Sequence, residues 1–135
     1  MAGKLSPAAQ GRLNDLALLQ DKVQRVHGLV EQYATVRTNP DQYLLPMSRV
    51  FSQLKMNFMG AGLDAMSQLA GSMEIAAKRG LPPSSKTRIL REGVGSLRFQ
   101  LEMAQRAIIS EDAATQQKKV AEAEQQARLE RGSGG

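Results

Sequence analysis

The chain has 135 residues, room for one ordinary domain with a single hydrophobic core but not for two. Aromatic residues make up 4 % of it and Trp is absent, so a core must come from Leu, Val, Ile, Met and Ala, which suits helix packing better than a β-sandwich and puts the chain in the all-α class. The absence of cysteine excludes disulfides, thiolate metal sites and Cys nucleophiles, while a formal charge of +5 permits an acidic partner without demanding one.

From Leu13 the apolar positions Leu16, Leu19, Val23, Val26, Val30 and Tyr33 recur at steps of three and four, one stripe of a helix expected over about residues 7–37. Ser6 before Pro7 has the pattern of an N-cap and first-turn proline, and Thr38-Asn39-Pro40-Asp41 has the residues of a turn. One extra helical turn fits residues 40–45. After Pro46, the residues Met47, Val50, Phe51, Leu54 and Phe58 form a second stripe, expected over about 46–59 and broken by Gly60 and Gly62.

Leu63, Met66, Leu69, Ala70, Met73 and Ala77 give a third helix over about 63–79, stopped by Gly80 and the Pro82-Pro83 pair. With Ser84 or Ser85 as cap, the fourth places Leu90, Val94, Leu97, Leu101, Ala104 and Ile108 on one face over about 85–109. Four apolar stripes imply an antiparallel four-helix bundle over residues 1–110. Gly93 and Gly95 each cost that helix roughly 1 kcal/mol relative to Ala and mark either a close helix approach or a weak turn. Residues 111–135 are rich in helix formers but hold only Val120 and Leu129 as large aliphatics, so a charged tail is expected, helical or disordered, ending in a Gly-Ser segment of engineered or unstructured type.

The run from Phe51 to Gly80, FSQLKMNFMGAGLDAMSQLAGSMEIAAKRG, resembles the signature helix of histidine-containing phosphotransfer (HPt) domains, in which a pattern of the type A-H-x-L-K-G precedes a Gly-containing turn and a second helix. Leu54 and Lys55 match the family's Leu-Lys pair, Gly62 matches the turn glycine, and Leu69, Met73, Glu74 and Ala76 to Gly80 follow its second helix. The resemblance is close over about thirty residues and, by helix order, spans most of residues 10–110. It implies a bundle that docks a response-regulator receiver domain or a histidine kinase, in bacterial-type signalling.

Two departures remove the chemistry. Ser52 stands where the family has its phospho-accepting His, and Met56 stands where it has the glycine that keeps the helix surface low. A serine hydroxyl is a poor nucleophile without an adjacent base. The expectation is therefore a non-catalytic adaptor or competitor, with Ser52, Lys55, Met56 and Met59 on the outward, protein-binding side of the helix. A second reading is a structural helical protein that self-associates, as a homo-oligomer, or scaffolds a partner through its helices, and a third is binding of an anionic surface through the basic cluster around Arg79 and Arg88.

The single histidine, His27, lies beside Val26 on the first helix with no lysine at the family's spacing, so it reads as a boundary residue. One His without Cys makes metal binding improbable, and neither a di-iron carboxylate pattern nor a phosphate loop is present, so no cofactor or enzyme activity is expected. Of the other methionines, Met47, Met66, Met73 and Met103 are expected in the core. Positive charge gathers at Arg79, Lys86, Arg88 and Arg91, a candidate basic patch. The lack of interleaved aromatics argues against nucleic acid. No apolar run reaches the roughly 20 residues of a membrane span, and the N-terminal MAGKLSPAAQG lacks a secretory hydrophobic region, so a cytoplasmic protein is expected.

Overall fold

The computed structural model describes residues 4–133; residues 1–3 of the expected bundle and 134–135 of the expected tail lie outside them. The fold is all-α. Helix α1 spans Pro7–Thr35, a 3-10 turn spans Pro40–Tyr43, and α2 (Leu44–Gly60), α3 (Asp64–Lys78) and α4 (Pro83–Ser133) follow, with no strand among the described residues.

Local chemistry explains most boundaries. The Ser6 hydroxyl accepts from the Ala9 amide at 3.2 Å, leaving Pro7 at the first helical position where no amide hydrogen is needed. Asn39 adopts a left-handed conformation (φ 50°), which turns the chain into Pro40 and the 3-10 turn. α2 starts at Leu44, two residues ahead of Pro46, because a proline in the first turn gives up no intrahelical bond. Between α2 and α3 the chain reverses through Gly62 at φ 74°, a region that side chains with a Cβ avoid. The start of α4 differs from expectation: the Pro82 carbonyl accepts from the Lys86 amide at 2.9 Å, so the helix begins at Pro83 and Ser84 and Ser85 lie inside its first turn rather than capping it.

The four stripes converge on one core. Val26, Val30, Met47, Phe51, Leu54, Phe58, Ala70, Leu90 and Leu97 are fully enclosed. Burying each large aliphatic or aromatic side chain contributes about 1.5–3 kcal/mol. α1 packs on α2 and α4, and α3 packs on α2 and α4, so each helix touches two others and the diagonal pairs are separated by the core. Side-chain contacts between α1 and α4 run in opposite sequence order: Ser6 with Asp112, Gln20 with Gln105, Glu31 with Arg91.

No break occurs near residue 110. α4 continues for 51 residues, about 76 Å, whereas the 17 residues of α2 cover about 25 Å. The first part of the overhang is tied to the start of α1. Asp112 accepts from the Ser6 amide at 3.0 Å and its hydroxyl at 2.6 Å, and the Gln116 amide donates to the Lys4 carbonyl at 3.0 Å. Gly132 and Ser133, from the Gly-Ser end, are the last residues of the helix.

Candidate protein-binding face

On α2 the inward positions Phe51, Leu54 and Phe58 are fully buried, which turns the intervening positions outward. Met56 is 60 % exposed and Met59 55 % exposed, while Ser52 and Lys55 are half-buried. The two methionines thus form an apolar outward ridge, and the two polar residues sit in the seam between α2 and α3.

That seam is built from Lys55. Its carbonyl accepts from the Ser67 hydroxyl at 2.8 Å, and its ammonium lies 3.7 Å from Glu74. Its aliphatic stem crosses Gly71, where an added Cβ would come within 3.2 Å of Lys55 Cδ. Ser67, Gly71 and Glu74 follow steps of four and three, so one face of α3 is shaped to receive this lysine. That spacing was the available signal for Ser67 and Gly71, which the sequence reading did not single out. Lys55 is correspondingly less free than a docking cation would be.

Glu74 is the polar centre of the seam. Burial by itself pushes its carboxyl upward, but the Ser52 hydroxyl, which donates to it, together with the ammoniums of Lys78 and Lys55, holds it below the ordinary carboxylate range. Lys78 Nζ is 3.5 Å from it, one turn along α3.

One member of the candidate basic patch, Lys86, is not on the surface. Arg79 and Arg88 are exposed, but Lys86 is only 4 % exposed, with its ammonium donating to the Ala77 carbonyl at 3.2 Å. After the Pro82-Pro83 turn the first turn of α4 folds back over the end of α3, and the partial negative charge of those terminal carbonyls accommodates the buried cation. Arg91 is taken up differently: its Nε and an Nη each lie 2.8 Å from a carboxylate oxygen of Glu31 on α1. This bidentate contact holds the Glu31 carboxyl below, and the Arg91 guanidinium above, their usual ranges.

His27 is half-buried on α1, one turn before Glu31, away from the α2–α3 seam. No cluster of three or more His, Cys, Asp or Glu able to hold a metal occurs among the described residues, and none of the described helices is long and apolar enough to cross a membrane. Met47, Met66 and Met73 are buried as expected. Met103 is not: it is 46 % exposed on α4, one turn from Phe99, and the two line a surface groove of about 480 Å³ floored by Leu63, Met66 and Ala104. Each stands two residues, about 200°, beyond an inward residue of the stripe, Leu97 and Leu101, so the helical period itself turns them outward.

No protein-family model matches the chain, and no curated protein or solved structure matches it significantly.

Proposed function

We propose that the protein is a non-catalytic, HPt-like protein-binding module that docks a receiver domain or histidine kinase through α2, acting as adaptor or competitor in bacterial-type signalling. The observation that carries this reading is the exposed pair Met56 and Met59 beside Ser52 and Lys55, at the positions where the resembled family meets its receiver. Exposed apolar side chains at the centre of a contact act as anchors when a partner desolvates them.

The same geometry speaks against phosphoryl transfer. Glu74, the carboxylate beside the Ser52 hydroxyl, is held below its ordinary range and is a weak general base for activating it. His27 belongs to a different helix and offers no substitute.

The test is titration of purified receiver and kinase domains from the same organism with the intact protein and with Met56→Glu and Met59→Glu. At least one domain should bind, each charge substitution should weaken it about tenfold or more, and no phosphoryl group should pass to the protein. Failure of every candidate to bind, or binding indifferent to both methionines, would overturn the reading.

Self-assembly through the α4 overhang draws support from its exposed length. A continuous apolar seam would be needed, however, and Val120 and Leu129, nine residues apart, point about 180° away from each other. The α2 reading is the stronger.

A further inference from the structure

The chain's positive charge is unevenly placed. Residues 36–49 and 78–91 contain seven of the eighteen lysines and arginines but one of the thirteen acids, Asp41. These segments carry net +6 against +5 for the whole chain, so everything else sums to −1.

The fold puts both segments at one end of the bundle, where α1 and α3 finish and α2 and α4 start. The Glu31–Arg91 ion pair joins α1 to α4 there, the Lys86–Ala77 bond joins α4 to α3, and the 3-10 turn packs on both α1 and α2. Two helix N-termini and two C-termini meet at this end, so their dipoles offset one another and the field comes from side chains. Lys86 is buried, Lys78 is paired with Glu74 and Arg91 with Glu31. Arg37, Arg49, Arg79 and Arg88 remain: all four are exposed and none of their side chains makes an ion pair or hydrogen bond with a described residue.

Exposed apolar side chains stand beside two of them: Ile75 is 53 % exposed on α3, one helical turn before Arg79. Leu45 is 58 % exposed in the first turn of α2, one helical turn before Arg49 and therefore on the same face. The aromatics nearest this end offer no stacking platform, since Tyr33 is buried and Tyr43 half-buried. Guanidiniums gathered at one end of the bundle with an exposed aliphatic tip match an anionic bilayer, whose headgroups take the charges and whose interface takes the leucine. Single-stranded nucleic acid would instead call for exposed aromatic faces.

We propose that the loop end of the bundle is a docking surface for an anionic lipid bilayer, with Arg37, Arg49, Arg79 and Arg88 on the headgroups and Leu45 at the interface. The α4 overhang leaves from the opposite end, so it projects away from the membrane. The surface is separate from Met56 and Met59, and the proposal stands or falls independently of the α2 reading.

The test is sedimentation of the full chain with vesicles of phosphatidylcholine alone and with about one-third phosphatidylserine, in salt from about 0.1 M to about 1 M, a range over which the screening length falls from about 10 Å to about 3 Å. The protein should bind only the anionic vesicles and release in high salt. Each arginine changed to Gln should weaken partitioning about fivefold. Leu45→Asp should weaken it further than any single arginine change, and Met56→Glu should leave it unchanged. Circular dichroism of each variant establishes that the helices are intact. No binding by the folded wild-type chain, or binding indifferent to Leu45 and the arginines, overturns the proposal. So does tighter, Leu45-independent binding to a single-stranded oligonucleotide, which would assign the surface to nucleic acid.

Discussion

Gly93 and Gly95 lie two residues apart on α4, and replacing each with Ala should change stability in opposite directions. At Gly95 an added methyl meets nothing within 4 Å, so the substitution removes the conformational freedom of glycine and stabilises by about 1 kcal/mol. At Gly93 the same methyl would overlap Met73 Sδ and lie 2.8 Å from Met73 Cγ. Met73 is itself buried and has little room to withdraw. Overpacking of this kind costs about 1–3 kcal/mol, which exceeds the propensity gain and leaves a net loss of about 1 kcal/mol. The two variants should therefore differ by about 2 kcal/mol, or about 1 M in urea midpoint for a domain of this size. Urea denaturation followed by far-UV circular dichroism measures it. In a Met73→Ala background the clash disappears, so Gly93→Ala should become stabilising there, with a coupling of about 1–3 kcal/mol. Equal stabilisation by both single substitutions would refute the claim that α3 and α4 approach closely at Gly93.

Three further outcomes follow from the polar contacts. Lys86→Ala leaves the Ala77 carbonyl without its buried donor and should cost about 1–3 kcal/mol by urea denaturation, whereas Arg88→Ala, on an exposed and unpaired residue, should cost less than about 0.5 kcal/mol. The carboxyls of Glu31 and Glu74 are held low, and so is Asp112, chiefly by the Ser6 hydroxyl. A carboxyl with a folded pKa below its unfolded one adds stability that is complete above the ordinary range and lost as pH falls through the folded value. The urea midpoint should therefore be flat above about pH 5 and decline below it, less steeply in Glu31→Gln. A chain ending at Lys119 keeps the Asp112 and Gln116 contacts and should melt like the full chain. One ending at Ile109 loses both, and amide exchange should speed up over residues 4–10; unchanged exchange would show that the Ser6–Asp112 contact does not hold the start of α1.

The helical period alone determined the four helices and their inward faces. A stripe such as Leu90, Val94, Leu97 and Leu101 can be buried only on one side, whatever it packs against. Capping and turn chemistry at Ser6, Pro7 and Gly62 are equally local, and they were legible for that reason. The outward placement of Met56 and Met59 followed from the inward placement of Phe51, Leu54 and Phe58. The fate of each polar or small residue depended instead on which helix came to lie beside it. Lys86 read as a surface cation until the Pro82-Pro83 turn set it over the end of α3, and Arg91 became a partner of Glu31 only because α1 and α4 are neighbours. The period puts Gly93 on the inward side, one turn from Leu90 and Leu97, and Gly95 about 200° away from it, but only the position of α3 sets Met73 against Gly93. Burial periodicity is a property of one helix and can be read from it, whereas charge pairing and close approach are properties of two helices, and tertiary structure alone brings those two together.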